Sequence, residues 1–317
     1  MNALYRVLGY SKQAFHKKLD REKIRLSKKR HLLSMIYKIR RDHPTMGCRD
    51  MYYKLQPENI GRDAFELFCK NEGLVVPKVK NYRKTTDSSG VIRFENLTEQ
   101  LSVTKVNQLW QSDITYFELN NRFYYITFII DAYSRKIVGH FTSDRLKTEK
   151  TTIPALKMAL KDRKSCLKGL IFHSDGGGQY YDKEFLKLTQ KEGFQNSMCE
   201  YPWENGKAER INGVIKNNYL IHRNINTFEA LQKEVDRSVL LYNSEKLHIK
   251  LQRNTPDSFE KAYFCNDPKI DAENSTPESN YKPGGYCSPA GCNPKINTSN
   301  LAMECNSKKK CKTVNLI

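Results

Sequence analysis

The stretch QLWQSDITYFELNNRFYYITFIIDAYSRKIVGHFTS, residues 108–143, is the most regular part of the chain. Aromatic and β-branched residues dominate it, and they predict strands near Gln108–Thr115, Arg122–Asp131 and Lys136–Ser143. Short turns rich in Asn and Ser separate the three runs. The stretch therefore predicts a meander of three strands.

After this meander the chain alternates between helix and strand. The expected elements are a helix at 151–161, a strand at 169–174, a helix at 183–192, a strand at 194–198, a helix at 205–219 and a last amphipathic helix at 227–242. This order predicts an α/β fold in which a mixed five-stranded sheet is flanked by helices. Ribonuclease-H-like folds use the same order of elements.

A basic helical region precedes the sheet, over residues 1–76. We expect two short helices hinged at Gly9 within residues 3–19, the second capped by Ser11, and further helices at 31–41, 48–55 and 62–71. Such a set resembles a small all-α helix-turn-helix-like domain. Residues 1–84 contain 21 Lys and Arg against 8 Asp and Glu, which favours contact with phosphates. A solvated basic surface is the alternative.

Composition bounds the rest of the chain. A balance of 54 Lys and Arg against 35 Asp and Glu gives a net charge of +19, which favours a polyanionic partner. The chain contains neither a signal-peptide segment nor an apolar run long enough to span a membrane, so we expect a cytoplasmic protein. Residues 77–104 have the composition of a linker, and the catalytic core with its C-terminal helix is expected over 105–262.

Residues 263–317 form a tail rich in Cys, Pro and Asn, which we expect to be disordered. The alternative is a small metal-stapled appendage, although the spacings of Cys287, Cys292, Cys305 and Cys311 are looser than those of a zinc ribbon. Cysteines elsewhere are scattered, as expected of reduced thiols.

Three carboxylates lie where such a sheet gathers its active-site groups. Asp113 falls on the first strand, Asp175 follows the strand at 169–174, and Glu209 lies in the first turn of the helix at 205–219. Clustered carboxylates need cations to stay ionised, and hard oxygen ligands select Mg²⁺, with Mn²⁺ as a substitute. For any single acidic residue, a solvated surface charge or helix cap is the more common role.

Several neighbours fit contact with DNA. Lys207, Arg210 and Lys216 could bind phosphates, although an ordinary basic helix surface is an even alternative. Trp203 could stack on a base or pack in the protein. His173 is a possible accessory group, and a packed strand histidine is at least as common. Asp131 is expected to cap a turn or pair with an arginine.

The residues that carry these features resemble a known family. The segments Trp110–Thr115, Phe172–Asp175 with Gly178-Gln179-Tyr180, and Glu204-Asn205 with Ala208-Glu209 resemble the integrase core of bacterial insertion-sequence transposases, specifically the OrfB catalytic subunit of the IS-three type. The closing residues agree: Tyr242-Asn243, His248, Leu251 and Thr255-Pro256 match, with Lys246-Leu247 where Arg-Pro is usual. The resemblance covers residues 3–262.

The resemblance implies that Asp113, Asp175 and Glu209 are a DDE triad and that Mg²⁺ is the cofactor. It implies nicking at the ends of the element, followed by attack of the 3′-hydroxyl on DNA. It also implies a helix-turn-helix partner encoded in the upstream frame, either separate or joined as a frameshift fusion, together with a homo-oligomer on DNA and a nucleoid-associated location. Residues 176–208 leave 33 residues between Asp175 and Glu209, two fewer than the family pattern.

Two other functions fit the same residues. A ribonuclease-H-like nuclease would use the triad without strand transfer. A catalytically impaired DNA-binding remnant would account for the shortened spacing.

Overall fold

The computed structural model describes residues 7, 9, 11–58, 60–77, 94–163 and 167–266. The expected first helix near residues 3–8 apart from Val7, most of the linker, Cys166, and nearly all of the tail with four of its five cysteines lie outside these residues. No helix within the described ranges is both long enough and apolar enough to cross a membrane.

The described helices and strands follow one another in a fixed order. They are α1 (Lys12–Asp42), α2 (Cys48–Leu55), α3 (Arg62–Asn71), β1 (Leu109–Leu119), β2 (Arg122–Asp131), β3 (Ile137–Ser143), α4 (Thr152–Asp162), β4 (Ile171–Ser174), α5 (Lys183–Lys191), β5 (Gln195–Met198), α6 (Gly206–Asn218), α7 (Phe228–Glu245) and α8 (Pro256–Asn266). Short 3₁₀ helices lie at Thr148–Lys150, Gly178–Tyr180, Pro202–Asn205, Leu220–His222 and Ile249–Leu251.

The five strands form one mixed sheet in the order β3-β2-β1-β4-β5. The first three strands pair antiparallel, whereas β4 is parallel to both β1 and β5. This arrangement confirms the predicted five-stranded, ribonuclease-H-like sheet. It also places the end of β4 beside the middle of β1, with Ser174 opposite Ser112.

Helices cover both faces of the sheet with apolar side chains. On one face, Phe128 and Ile130 of β2 pack with Ile211 and Ile215 of α6 and with residues of α7. On the other face, Trp110 and Phe172 pack with α4 and α5. Burying each large apolar side chain contributes about 1.5–3 kcal/mol. The sheet is therefore a fixed support for residues at its strand ends.

Helix α4 approaches β3 closely because Gly139 has no side chain. A Cβ at this position would lie 2.3 Å from the carbonyl oxygen of Ala155 and 2.9 Å from Cβ of Ala159. Glycine at this β3 position is thus a packing requirement.

The basic helical region differs from the prediction in one respect. Short helices were expected near residues 11–19 and 31–41, but the structure has the single 31-residue helix α1, capped as expected by Ser11, whose hydroxyl accepts from Ala14 N. Residues 20–30 contain neither Gly nor Pro, and the ion pairs Asp20–Lys23 and Glu22–Arg25 stabilise this middle segment. The prediction of a break was therefore wrong.

The helical region has its own small core and packs on the sheet domain. Ile36, Met51 and Phe65 are fully buried within it. At the junction, His43 Nδ1 lies 3.1 Å from the Tyr219 hydroxyl oxygen, just past the end of α6.

Candidate active site

The sheet brings Asp113 and Asp175 to adjacent positions. Asp113 lies in β1, and Asp175 directly follows β4. Because these strands are parallel and Ser112 is opposite Ser174, the next residue on each strand is an aspartate at the same level. Glu209 lies in the first turn of α6, which packs against β1. Two strands and one helix thus supply the three carboxylates.

The electrostatics of the three carboxylates show that they affect one another. Burial and the charges of Asp175 and Glu209 raise the pKa of Asp113 to about 8, against an ordinary value of 3.8. Burial raises the pKa of Asp175. Desolvation and the charge of Asp175 raise the pKa of Glu209. The site therefore concentrates negative charge that a cation would stabilise.

Hydrogen bonds hold the two aspartates in place. The Asn212 side-chain amide donates to Asp113 Oδ2 over 2.7 Å, and the Ile114 backbone N–H donates to Oδ1 over 2.8 Å. The Gly177 N–H donates to Asp175 Oδ1 over 3.2 Å. A Cβ on Gly177 would lie 3.0 Å from that same oxygen, so this glycine leaves room for the carboxylate.

The start of α6 is tied to β1 by two amide side chains. Gln111 Nε2 donates to the Glu204 carbonyl over 3.1 Å, and Asn205 Nδ2 donates to the Ser112 carbonyl over 2.8 Å. These contacts set the position of Glu209 relative to Asp113. Sequence reasoning gave no role to either amide, although both fall in the segments that carried the family resemblance.

Asn212 is a further residue that sequence reasoning missed. It follows Glu209 by three positions and therefore lies near the same face of the helix, which is the signal that could have identified it. The side-chain oxygen of Asn212, Oδ1, is buried without a hydrogen-bond partner among the described residues. Asn212 thus retains an acceptor beside Asp113.

The donor atoms around this site are carboxylate oxygens, the type that Mg²⁺ and Mn²⁺ prefer. In the part of the chain that the structure describes, no three His, Cys, Asp or Glu side chains converge closely enough to hold one ion together. The three carboxylates share an electrostatic environment without meeting at a single point. Their chemistry fits hard divalent cations.

The predicted phosphate-binding residues fall into two groups. Lys216, two helical turns after Glu209, donates from Nζ to the Tyr116 carbonyl over 2.7 Å. Lys207 and Arg210 lie one turn apart on α6. From Lys207 to Glu209 the helix turns by about 200°, so these two side chains leave opposite faces.

The remaining predicted residues differ in exposure. Trp203 has 73% of its surface exposed and stacks on Tyr201, with ring centroids 4.6 Å apart. His173 is fully buried, and its Nδ1 lies 2.9 Å from the Ser197 hydroxyl oxygen. Burial lowers the pKa of His173 to about 4, so the ring is neutral. The structure thus leaves Trp203 accessible and encloses His173 in the sheet.

Asp131 has the turn-capping role expected of it. Its Oδ1 accepts from the N–H groups of Tyr133 and Ser134, each over 2.9 Å, and its Oδ2 accepts from Asn107 N over 2.7 Å. This carboxylate is therefore used by the backbone at the far end of β2 rather than at the triad.

The closing residues quoted from the sequence build the end of the domain. The Asn243 side chain accepts from Ile137 N over 3.0 Å and donates to Ile137 O over 2.9 Å, which fastens α7 to the start of β3. The buried Tyr242 ring packs edge-on against His248, with centroids 5.1 Å apart. These residues stabilise the fold around the turn between β2 and β3.

Comparison with known proteins places these features in a family. Two profiles described as "Integrase core domain" match residues 103–201 and 193–256. The 31 kDa protein of insertion element IS600 from Shigella sonnei is 29% identical over 262 residues, covering 80% of this chain and 94% of that relative. The transposase for insertion sequence element IS629 from Shigella sonnei is 30% identical over 233 residues, covering 71% of this chain and 76% of the relative.

Among solved structures, the catalytic core domain of HTLV-2 integrase in complex with magnesium aligns with a TM-score of 0.40 and 20% identity. It covers 48% of this chain and 95% of the integrase chain. The relatives in sequence carry the assignment: the chain belongs to the insertion-sequence transposases that have an integrase core domain, and it is a transposase.

Proposed function

We propose that Asp113, Asp175 and Glu209 are the catalytic carboxylates of this transposase and that they act with Mg²⁺, or Mn²⁺ in its place. The reaction is cleavage of a DNA strand at an end of the element, followed by attack of the new 3′-hydroxyl on a second phosphodiester. The single observation that carries the proposal is the register of β1 and β4, which puts Asp113 and Asp175 at adjacent positions beside the helix that carries Glu209 in its first turn.

The oxygens of Asp113, Asp175 and Glu209 would hold the metal ions, because carboxylate oxygens are the donors that Mg²⁺ and Mn²⁺ prefer. When bound, such ions activate the attacking oxygen and stabilise the leaving oxygen of the scissile phosphate.

The protein's own groups orient the carboxylates and admit the substrate. Asn212 and the Ile114 N–H hold both oxygens of Asp113, so this carboxylate cannot rotate freely. The Gly177 N–H fixes one oxygen of Asp175. Gly178 has no heavy atom within 4 Å of the place of a Cβ, which leaves open space beside the site.

The short spacing between Asp175 and Glu209 is compatible with catalysis. The charge of Asp175 still raises the pKa of Glu209, so the two carboxylates lie within electrostatic range. We propose that the loop before α6 absorbs the two missing residues, since loops tolerate such deletions. A catalytically impaired remnant is the alternative to this proposal.

The partners follow from the same proposal. The substrates are the ends of an insertion sequence and a target DNA, and the chain acts as a homo-oligomer when it joins two ends. We further expect a helix-turn-helix protein from the upstream frame, alone or as a frameshift fusion, to supply recognition of the ends.

A strand-transfer assay separates the proposed function from that of a simple nuclease. Purified full chain, with and without the upstream partner, is incubated with Mg²⁺, target DNA and a labelled duplex whose 3′ end is already cut. Joined products are expected. Cleavage without any joined product would instead support a ribonuclease-H-like nuclease.

A further inference from the structure

A group of cationic side chains lies around the first turn of α6. Its members come from the turn between β2 and β3, from the first turn of α6 and from the segment after α7; they are Arg135, Lys207, Arg210, Lys246 and Lys250. We call this set the cationic cluster. Among the residues that the structure describes, none of these five side chains forms an ion pair with a carboxylate. Lys136, which follows Arg135 in sequence, instead forms ion pairs with three carboxylates.

The fold brings the three segments together through contacts that involve neither metal nor substrate. The two hydrogen bonds between the Asn243 side chain and the Ile137 backbone hold the end of α7 beside the turn that carries Arg135. Within that turn, Arg135 N donates to Asp131 O over 2.9 Å, and Arg135 adopts a left-handed backbone with φ of 64°. A non-glycine residue in this conformation costs free energy, so its side chain is held in a strained turn.

The position of α6 supplies the other members. Gln111 and Asn205 fasten the start of α6 to β1, and from there Lys207 and Arg210 leave the helix on one face. Glu209 lies about 200° around the helix from Lys207. The carboxylate site and the cationic cluster therefore both include residues of the first turn of α6.

The cations lie close enough to repel one another. Burial, followed by Lys246, Arg135 and Arg210, lowers the pKa of His248 to about 4. His248 Nε2 is buried and has no hydrogen-bond partner among the described residues. Such repulsion is unfavourable in the protein alone. A bound anion would offset it by attracting the cations.

The nearby carboxylates do not neutralise the cluster. The oxygens of Asp131 accept from three backbone N–H groups. Asp50 acts electrostatically on Lys246, but its Oδ1 also forms an ion pair with Arg253 Nη1, 3.4 Å away. Positive charge therefore remains on a surface that includes Arg210, the residue next to Glu209.

We propose that the cationic cluster is a second DNA site, which binds backbone phosphates of a strand that continues past the scissile phosphate toward the turn between β2 and β3. This inference rests on the proposed function, because it assumes that DNA occupies the neighbouring carboxylate site. The ligand is the sugar-phosphate backbone, and either an element end or target DNA can supply it.

The test measures DNA binding by the full chain in EDTA, so that it does not depend on catalysis. The variant Lys207→Gln/Lys250→Gln removes two cations of the cluster. The matched control Lys157→Gln/Lys191→Gln removes two exposed lysines of α4 and α5 on the opposite side of the sheet. The probes are a duplex that contains an element end and a duplex of unrelated sequence, each titrated at several salt concentrations.

The cluster variant should bind DNA about 10-fold more weakly, and the slope of log affinity against log salt should fall by about 2. Its melting temperature without DNA should equal or exceed that of the wild type, since repulsion is removed. Weaker binding to both probes indicates a general backbone contact, a loss confined to the unrelated duplex indicates target DNA, and a loss confined to the end duplex indicates the element end. Affinity and salt slope equal to those of the control variant on both probes would overturn the inference, even if strand transfer is observed.

Discussion

Replacing Asp113 with Asn should stabilise the metal-free protein while it removes the proposed catalytic group. The folded state raises the pKa of Asp113 from 3.8 to about 8 because the side chain is buried beside Asp175 and Glu209. At neutral pH the protein must therefore take up a proton at Asp113, or tolerate its charge, when it folds. Asparagine has neither requirement.

The structure also accommodates the amide. The introduced side chain can still accept from Ile114 N, and its NH₂ group can donate to the Asn212 carbonyl oxygen, which is buried without a partner among the described residues. The Asn212 amide would rotate to make this contact, which exchanges its unpartnered oxygen for an unpartnered NH₂ group. The number of unpartnered side-chain groups on Asn212 therefore does not rise.

The magnitude follows from the pKa change. At pH 7, only the rise in the pKa of Asp113 from 3.8 up to 7 affects folding. For an enclosed group, this rise corresponds to about 4 kcal/mol of folding free energy. Water and side-chain movement in the partly open site reduce this value, so we expect a gain of about 1–3 kcal/mol. For a domain of this size, that corresponds to a rise of roughly 2–4 °C in melting temperature per kcal/mol.

The pH dependence fixes the sign. A carboxyl group with a raised folded-state pKa contributes stability that is complete below the unfolded-state pKa and is lost as the pH rises through the folded-state pKa. The advantage of Asp113→Asn should thus be near zero at about pH 4 and grow until about pH 8. Thermal unfolding in EDTA across this range measures it, and added Mg²⁺ should raise the melting temperature of the wild type only.

Glu118→Gln provides the control, because Glu118 is exposed on the same strand and its replacement causes the same change in net charge. This variant should stay within about 0.5 kcal/mol of the wild type. The reasoning is refuted if Asp113→Asn melts at or below the wild-type temperature at pH 8, or if its advantage does not depend on pH.

Two further predictions concern the support of the site. Gly177→Ala should reduce strand cleavage about 10-fold or more, because the added Cβ would lie 3.0 Å from Asp175 Oδ1. Gly178→Ala is the control and should retain near-normal cleavage, because the space at that position is open. Equal rates for the two variants in a nicking assay would contradict this role of Gly177. Asn243→Ala should lower the free energy of unfolding by about 2–3 kcal/mol, because it removes two hydrogen bonds to the buried Ile137 backbone. Chemical denaturation measures this loss, and Ser244→Ala on the exposed side of α7 is the control. Similar denaturation midpoints for both variants would be inconsistent with the proposed role of Asn243.

Local patterns were sufficient to predict most of the secondary structure. The apolar, β-branched run of residues 122–131 predicted the bounds of β2 correctly, because such residues form strands in most contexts. In α1 the same kind of reasoning failed: no helix was predicted for residues 20–30, but local ion pairs and the absence of helix breakers keep the helix continuous there.

The contacts within the candidate site could not be predicted in the same way. Lys216 binds the Tyr116 carbonyl, and Asn212 binds Asp113, because α6 packs against β1 from about 100 residues away in sequence. Helical spacing shows that Glu209, Asn212 and Lys216 share a face, but it does not show what that face contacts. The split between the carboxylate site and the cationic cluster likewise depends on how α6 packs.

The central claim is that the three carboxylates together catalyse Mg²⁺-dependent cleavage of DNA. Its most direct test is a nicking assay on duplex DNA that contains an element end, with the full chain and its upstream partner, comparing the wild type with Asp175→Asn. We expect cleavage by the wild type that requires Mg²⁺ or Mn²⁺, and a loss of at least about 1,000-fold in the variant, although the variant still binds the DNA. Cleavage by Asp175→Asn at a rate close to that of the wild type would contradict the account.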